Sequence, residues 1–322
     1  MAVMLGYEAL QGVIGMREAI DLLEQSLAHE AAGKTRASAK IVNTFRGGAM
    51  RTLLAADYEA GYLATKAYHS IDGAGVRYVV SLYSLKDGEL LALLDGQLIT
   101  DLRTGAASGV IARKVGMPGL VTVGVIGSGN QARAQLESLA SVYDIKSAAV
   151  YSPTAANREK FALDMSAKLG IEVTAVDSAE AAARGRDVVA TASNSRSGIP
   201  VLRGEWLKHC RLLCAVGNTR PQFAEVDVRC FRDAGLVVVD TVHAIEEAGD
   251  LIEAVRSAAL SESKQATLAQ IVSGAVAVPR RGLVTFKSVG SALQDLSLAA
   301  RYYELLGKQP GLASCPDLAT LR

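Results

Sequence analysis

The clearest chemical motif in the sequence is a glycine-rich loop that follows an apolar run. The run Val121–Ile126 leads directly into a GxGxxA pattern, which consists of Gly127, Ser128, Gly129, Asn130, Gln131 and Ala132. Gly127 permits a tight turn, Gly129 lets the backbone approach a pyrophosphate, and Ala132 keeps the following helix close to the strand. The N-terminus of that helix offers free N–H groups to an anion. The pattern predicts a dinucleotide-binding loop, and the alternative is a glycine-rich turn of some other α/β domain.

The residues expected to meet the adenosine ribose carry hydroxyl and basic groups but no carboxylate. The second predicted strand ends at Tyr151, and Ser152, Thr154 and Arg158 follow it. A carboxylate at this place binds the ribose 2′-OH of NAD, whereas an arginine accommodates the 2′-phosphate of NADP. The expected cofactor is therefore NAD(P)H, with a slight preference for NADP. The alternative is that Ser152 only caps the helix that Pro153 begins.

Isolated basic residues lie among apolar neighbours in the N-terminal part of the chain. They are Arg36, Arg46, Arg51, Lys66 and Arg103. Lys66 falls within a predicted strand, and Arg103 falls near the start of an alanine-rich predicted helix. A single such side chain is most often solvated. Several of them ahead of a dinucleotide domain favour a carboxylate pocket, because arginine binds a carboxylate through two parallel hydrogen bonds.

Two regions of different patterning must position these groups. The N-terminal region contains β-rich runs, of which 76–83 and 90–94 are predicted to form a hairpin. After Met117-Pro118-Gly119 the pattern changes to short apolar strands that alternate with helices. The strands predicted there are 121–126, 147–151, 172–176, 187–191, 212–216 and 236–240. Such alternation predicts right-handed βαβ units and a parallel sheet with helices on both faces, an α/β fold class.

Composition argues against several classes of partner. The 322 residues carry 34 basic and 33 acidic side chains, and the formal net charge of +1 predicts no nucleic-acid partner. No apolar run approaches the roughly 18 residues needed to cross a bilayer, so no membrane partner is expected, and no signal peptide is recognised. The 4 cysteines and 4 histidines show no metal-ligand spacing, so no metal is expected. Unpaired thiols predict a reducing, cytoplasmic location.

Several segments resemble, in order, the ornithine cyclodeaminase/mu-crystallin family. The first are 93–96 (LLDG) and 100–108 (TDLRTGAAS), followed by the loop 126–132 (IGSGNQA). The others are 151–154 (YSPT), 216–218 (VGN), 225–227 (EVD), and 286–290 (FKSVG) with Asp295. The resemblance covers nearly the whole chain, and the number of motifs in one order makes it specific.

The resemblance implies how the domains are organised. A Rossmann domain, here 119–290, is inserted into an α/β substrate-binding and dimerisation domain formed by 1–118 and 291–322. The implied oligomer is a homodimer that forms through the sheet of the second domain. Known activities of the family are cyclodeamination of ornithine or lysine, alanine dehydrogenation, and reduction of cyclic ketimines or of iminosuccinate. Some members are non-enzymatic binding or lens proteins.

The resemblance also implies the roles of individual residues. Lys66 matches the family's active-site lysine and Arg103 its carboxylate-binding arginine, while Arg36 matches a second such arginine with Arg46 as a competitor. Thr104 and the loop 127–132 are implied to contact the cofactor phosphates. The residues implied to line the ribose and nicotinamide are Ala192, Ser193, Val216 and Gly217. The chain departs from the cyclodeaminases at Thr219, which stands where they carry an acid/base aspartate.

These observations predict NAD(P)H-dependent reduction of a C=N bond beside a carboxylate, or the reverse oxidation of an amino acid. Arg103 and Arg36 would hold the small-molecule substrate's carboxylate, and Lys66 would stabilise charge or relay a proton. Burial and neighbouring arginines are expected to lower the pKa of Lys66. Thr219 could orient a water or the substrate but cannot act as a base near neutral pH.

Three alternatives stay open at this point. The protein could be a cyclodeaminase that recycles bound NAD+, with Glu225 or Asp227 replacing the missing aspartate. It could instead be a non-catalytic NADPH-binding protein like mu-crystallin, although the presence of Lys66 and Arg103 argues against loss of turnover. The substrate could be a dicarboxylate such as iminosuccinate, because further cations are present at Arg46, Arg51 and Arg220.

Overall fold

The chain divides into two units, one formed by residues up to Arg103 and from Ser291 onward, and the other by Thr104–Gly290. The structure is a computed structural model that describes residues 2–315. The helices are α1 (Tyr7–Leu10), α2 (Met16–Ala31), α3 (Gly96–Val115), α4 (Asn130–Ala140), α5 (Ala155–Leu169), α6 (Ala179–Ala183), α7 (Arg229–Arg232), α8 (Ala244–Glu247), α9 (Gly249–Arg256), α10 (Leu268–Val272) and α11 (Ala292–Leu306). The strands are β1 (Ala2–Leu5), β2 (Thr35–Ala37), β3 (Ile41–Phe45), β4 (Gly48–Asp57), β5 (Tyr62–Ile71), β6 (Gly75–Ser84), β7 (Leu90–Asp95), β8 (Val121–Ile126), β9 (Ile145–Tyr151), β10 (Val173–Ala175), β11 (Val188–Thr191), β12 (Leu212–Ala215), β13 (Leu236–Val239), β14 (Gln265–Thr267), β15 (Val284–Lys287) and β16 (Ser314–Cys315). Within the described part of the chain, every helix is too short or too polar to span a bilayer.

The first unit is built on an eight-stranded mixed sheet. Its order is β16-β1-β7-β6-β5-β4-β2, and β3 also pairs with β4. β1 is parallel to β7, whereas the strands from β7 to β2 pair antiparallel. Lys66 lies opposite Leu53 of β4 and Val80 of β6. Because side chains alternate along a strand, these three residues share one face of the sheet.

The two faces of this sheet differ in what covers them. On the Lys66 face, α11 packs against β4 and β5 and against α2. Apolar side chains on that face are buried under the helices, among them Leu53, Ala64 and Leu82. The opposite face is apolar but open, and its members Ile41, Phe45, Met50, Leu54 and Val79 are between 39% and 60% exposed. The sheet therefore has one packed face and one apolar face that residues 2–315 leave exposed.

The second unit contains an eight-stranded parallel sheet in the order β10-β9-β8-β11-β12-β15-β13-β14. Strand β8 is buried at nearly every position, as expected for a parallel strand with helices on both faces. The chain runs from β8 outward to β9 and β10, then returns to β11 on the other side. This reversal between β8 and β11 is where doubly wound sheets bind their ligands. The prediction of a doubly wound Rossmann sheet with a second α/β domain is confirmed.

The first boundary between the units lies inside α3, between Arg103 and Thr104, whereas the sequence placed it at residue 118. Side chains of α4 tie the second part of α3 to the parallel sheet's unit. Gln135 Nε2 donates to the carbonyl of Thr104 at 3.2 Å, and Ser138 Oγ donates to the carbonyl of Gly105 at 2.6 Å. The Met-Pro-Gly segment therefore marks the end of a helix. The second boundary between the units lies between Gly290 and Ser291.

Candidate active site

A buried lysine at the centre of the first unit's sheet is held by two helices. Lys66 is 2% exposed, and its Nζ donates to Asp295 Oδ1 at 2.7 Å and to Thr100 Oγ1 at 2.6 Å. Thr100 lies on α3, and Asp295 lies in the first turn of α11. Burial lowers the pKa of Lys66 to about 8; Asp295 opposes that shift, and Arg103 and Lys40 add to it. The amine is therefore mostly charged at neutral pH and reaches the balance between its charged and neutral forms near pH 8.

Arg103 lies one helical turn after Thr100 and so faces the same cluster. Its Nη1 donates to Gln294 Oε1 at 3.2 Å, and its Nε lies 3.4 Å from Asp295 Oδ1. That buried Nε finds no hydrogen-bond partner within residues 2–315. Two cations and one carboxylate are thus enclosed together, which leaves an excess of positive charge. A buried positive excess with an unused guanidinium donor suits a substrate carboxylate.

An aromatic wall continues along the same face of the sheet. The rings of Tyr68 and Tyr78 stack with their centres 5.2 Å apart, and Lys66 Nζ lies 4.9 Å from the centre of the Tyr78 ring. Arg51 lies over the Tyr68 ring and donates to Ser70 Oγ at 3.2 Å. Sequence analysis did not single out these tyrosines. Tyr68 could have been found, because it follows Lys66 by two residues in a predicted strand and so must share its face.

The structure does not bring Arg36 into this cluster. Arg36 is opposite Ala56 in the pairing of β2 with β4, which directs its side chain to the open face. Its Nη1 donates to its neighbour's carbonyl, and Arg46 is exposed in the turn between β3 and β4. The additional cation near Lys66 is Lys40, between β2 and β3, whose charge acts on the Lys66 amine. The sequence carried no periodic signal for Lys40, because it lies outside the strands.

The glycine-rich loop of the second unit has the geometry of a phosphate site. Gly127 has a φ of +120°, and a Cβ there would collide with the carbonyl of Ala192, so only glycine fits. Gly129 precedes α4 with ordinary extended backbone, and a Cβ there would have open space around it. Ala132, in the first turn of α4, is fully buried. Ser128, Asn130 and Gln131 complete this loop and the first turn of α4. The N-terminus of α4, the positive end of its helix dipole, thus lies next to the open space at Gly129.

Hydroxyl and guanidinium groups gather at the carboxyl end of β9. Ser128 Oγ donates to Ser152 Oγ at 3.0 Å, which joins the glycine-rich loop to the next strand. Arg158 Nη1 donates to the carbonyl of Ser152 at 3.1 Å, and its Nη2 pairs with exposed Asp177 at 2.6 Å. Thr154 is exposed at the start of α5. The structure therefore brings Ser152 and Arg158 together at the place where an adenosine ribose is expected.

The loops after β11 and β12 carry the remaining residues expected to contact the dinucleotide. Thr191 Oγ1 and Ser193 Oγ are buried and find no hydrogen-bond partner in the described part of the chain. Ala192 follows β11, and Val216 and Gly217 follow β12, the neighbouring strand. Thr104 is buried in α3. Orphaned hydroxyls at β11 and open space at the glycine-rich loop both fit a bound dinucleotide.

Both acids considered as replacements for the missing aspartate accept hydrogen bonds from backbone N–H groups. Glu225 is fully buried, and its carboxylate accepts the backbone N–H groups of Ser193 and Gly217. Asp227 accepts the backbone N–H groups of Gly204 and Arg229. Both oxygens of Glu225 and Oδ1 of Asp227 are thus engaged with the backbone.

The fold and these residues define the class of the protein, an NAD(P)-dependent oxidoreductase that acts on an amino or imino acid. This confirms the class predicted from the sequence. The profile described as the ornithine cyclodeaminase/mu-crystallin family matches residues 2–309. The chain belongs to that family.

Individual relatives agree with this assignment. The chain is 31% identical over 306 residues to alanine dehydrogenase of Archaeoglobus fulgidus, covering 92% of each protein. It is similar to the structure of Thermococcus litoralis Δ1-pyrroline-2-carboxylate reductase in complex with NADH and L-proline. That match has a TM-score of 0.87 and 31% identity, and covers 94% of this chain and 97% of the other. An archaeal alanine dehydrogenase dimer with bound NAD matches with a TM-score of 0.86 and 28% identity, covering 94% and 95%.

Proposed function

We propose that the protein reduces an α-imino acid to an amino acid with NAD(P)H and also catalyses the reverse oxidation. The observation that carries this proposal is the enclosed cluster of Lys66, Arg103 and Asp295, with its positive excess and unused guanidinium donor. The relatives support the same chemistry, since one is a dehydrogenase of alanine and another was solved with NADH and L-proline. A carboxylate next to a C=N or C–N bond is common to both kinds of substrate.

Each residue of the cluster has a distinct task in this reaction. Arg103 binds the substrate carboxylate and so fixes the orientation of the carbon to be reduced. Lys66 supplies the proton that the substrate nitrogen needs, and Asp295 holds the ammonium in line through a 2.7 Å hydrogen bond. The Tyr68–Tyr78 stack covers the sheet beside the amine and limits access of water.

The dinucleotide supplies or accepts the hydride when it is bound. The loop 127–132 would hold its pyrophosphate, because the N-terminus of α4 and the open space at Gly129 lie there. Ser152 and Arg158 would meet the adenosine ribose. The hydroxyls of Thr191 and Ser193, together with the backbone near Ala192, Val216 and Gly217, would meet the ribose and nicotinamide.

Turnover measurements test this function. We expect oxidation of NADH or NADPH when Δ1-pyrroline-2-carboxylate, iminosuccinate, or pyruvate with ammonia is added. In Arg103→Lys, kcat/KM should fall about a hundredfold, because a single ammonium cannot reproduce two parallel hydrogen bonds. A parent protein that oxidises neither dinucleotide with any of these compounds would contradict the proposal. An Arg103→Lys variant equal to its parent would remove Arg103 from the site.

The preference for NADP within this function is carried by Arg158. Its guanidinium is held 3.1 Å from the carbonyl of Ser152, and no carboxylate ends β9. A 2′-phosphate could replace the exposed carboxylate of Asp177 as the partner of the guanidinium. Arg158→Ala should then weaken NADPH much more than NADH in a binding titration. Equal losses for both would contradict the preference.

Cyclodeamination is the competing function, and residue 219 argues against it. The distal amine of ornithine must lose a proton before it attacks an imine, which is a task for a positioned base. Thr219 cannot supply that base, and Glu225 and Asp227 are bound to backbone groups. Incubation with ornithine and a catalytic amount of NAD+ should give negligible proline and ammonia. Steady proline production would restore the cyclodeaminase assignment.

The oligomer we propose is a homodimer formed through the open face of the first unit's sheet. That face exposes Ile41, Phe45, Met50, Leu54 and Val79, and apolar side chains in such number favour burial against another surface. The related archaeal alanine dehydrogenase was solved as a dimer. The cytoplasmic location and the possible dicarboxylate substrate stay predictions.

A further inference from the structure

A buried glutamate in the second unit joins the loops that follow two neighbouring strands. Glu225 lies between β12 and α7 and is fully buried. Its Oε1 accepts the N–H of Ser193 at 2.5 Å, and its Oε2 accepts the N–H of Gly217 at 2.8 Å. These residues follow the last residues of β11 and β12, Thr191 and Ala215, by two positions. The carboxylate of Glu225 therefore joins the segments that follow β11 and β12, beyond the last backbone hydrogen bonds between these two strands.

The two loops approach each other so closely that glycine is required at position 217. A Cβ at Gly217 would collide with Glu225 Oε1 and with the backbone N and O of Ser193. Glycine at position 217 thus allows its loop to pack closely against Ser193 and Glu225. Glu225, Ser193 and Gly217 form a fixed group whose spacing depends on all three.

Two further buried charged residues, Asp250 and Lys287, bind the same segment. Asp250 Oδ2 accepts the backbone N–H of Glu225 at 3.4 Å and the ammonium of Lys287 at 3.0 Å. Lys287, which is also fully buried, donates to the carbonyl of Asn218 at 2.7 Å. The loop after β12 is therefore held through the N–H of Gly217 and through the carbonyl of the next residue. A network with these partners made is rigid, because every change would leave a buried polar group without a partner.

We propose that Glu225 is a positioning residue that holds the β11 and β12 loops at the spacing needed by the nicotinamide half of the dinucleotide. This inference rests on the proposed NAD(P) site. In the sheet order β9-β8-β11-β12, the glycine-rich loop after β8 is the phosphate site and β9 lies on the adenosine side. The rest of the dinucleotide must then extend over the loops that Glu225 joins. Glu225 makes no contact with the phosphate loop in the hydrogen bonds described above, so its effect should be confined to one half of the ligand.

Glu225→Gln tests the proposal in binding titrations with NAD(P)H and with the matching adenosine diphosphate fragment. Glutamine keeps the shape of the side chain but turns an NH2 group toward one of the two backbone N–H donors, which then has no acceptor. We expect the affinity for NAD(P)H to fall by about tenfold or more, since hydrogen bonds to charged groups are the stronger ones. The affinity for the adenosine fragment should not change.

Asp227→Asn is a matched control for this experiment. Asp227 lies two residues further on and also accepts two backbone N–H groups, those of Gly204 and Arg229, but neither bond involves Ser193 or Gly217, the residues that Glu225 joins. Its substitution should leave the ratio of the two affinities unchanged. Glu225→Asp keeps the negative charge but shortens the side chain by one carbon, so that it cannot reach both N–H groups, and it decides the matter if Glu225→Gln does not fold.

The outcomes separate this inference from the proposed function. Selective loss of NAD(P)H affinity in Glu225→Gln or Glu225→Asp supports it. Unchanged NAD(P)H affinity, or an equal loss for the adenosine fragment, overturns it, because the glutamate would then have no role or a purely structural one. A parent protein that binds no NAD(P)H would instead contradict the proposed cofactor site.

Discussion

Burial of the Lys66 ammonium is electrostatically unfavourable, but the pKa that results suits proton transfer in the proposed reaction. Removing its ammonium from water disfavours the charged form, and the pKa falls to about 8 even though Asp295 lies 2.7 Å away. A group with such a pKa can give up a proton near neutral pH and take it back from water, which an exposed lysine cannot do efficiently. Asp295 thus prevents burial from neutralising the amine completely.

The pH profile of the reduction should report this balance. In the proposed reaction the protonated form of Lys66 is the proton donor, so kcat/KM should be constant below a pH of about 8 and fall above it. In Asp295→Asn the carboxylate that raises the pKa is removed, and the falling limb should move to lower pH. Initial rates across pH for both proteins measure this shift. A limb at the same pH in both would show that the substrate or another group titrates there.

Residue types alone identified part of this site. Lys66 and Arg103 were singled out as cations in apolar surroundings, and the structure brings them together. Lys40 and Gln294 escaped notice, since one lies in a loop and the other is an uncharged residue on a helix nearly 200 residues from Arg103. Arg36 was chosen by position, but the register of β2 with β4 directs it to the other face. Contacts of this kind depend on strand pairing, which a single sequence does not specify.

In the glycine-rich loop, a substitution should affect cofactor binding without affecting folding. Gly129 has a φ of −83° and open space where a Cβ would lie. Gly129→Val should therefore fold with nearly unchanged stability and lose NAD(P)H affinity by about a hundredfold or more, because the new side chain occupies the pyrophosphate's place. Thermal unfolding and a binding titration measure the two effects.

Gly124→Val provides the contrast within the adjoining strand. A Cβ at Gly124 would collide with the backbone carbonyl of Ala182, so this variant should lose stability before any question of binding arises. If Gly129→Val instead bound NAD(P)H like its parent, the phosphate-loop assignment would be wrong.

The strands of the parallel sheet were easier to predict from the sequence than those of the first unit's mixed sheet. The predicted strand 121–126 coincides with β8, and the other five predicted in that region overlap β9 to β13, because fully buried strands are continuous apolar runs. β15 was missed, since its buried Lys287 interrupts the apolar pattern. β1 to β4 were not identified as strands, and β3 is exposed at every position and so lacks an alternating pattern. Met117-Pro118-Gly119 follows the end of α3, whereas the first unit ends earlier, at Arg103.

At the scale of the whole molecule, the open apolar face should determine the oligomeric state. Leu54→Glu places a charge on that face, where burial against a second copy would leave it without a partner. We expect the variant to be a monomer under conditions in which the parent is a dimer, as measured by light scattering after gel filtration. Leu163→Glu, on α5 and 73% exposed, is the control and should leave the mass unchanged. A dimeric Leu54→Glu would place the interface elsewhere.

Transfer of a labelled hydride tests the central claim most directly. The protein is supplied with NAD(P)H that carries deuterium at both C4 positions of the nicotinamide, together with the imino acid that it turns over. We expect an amino acid product with deuterium at Cα, while the proton on nitrogen comes from solvent through Lys66. Product with no deuterium at Cα, or with solvent-derived hydrogen there, would contradict direct reduction of the C=N bond by the bound dinucleotide.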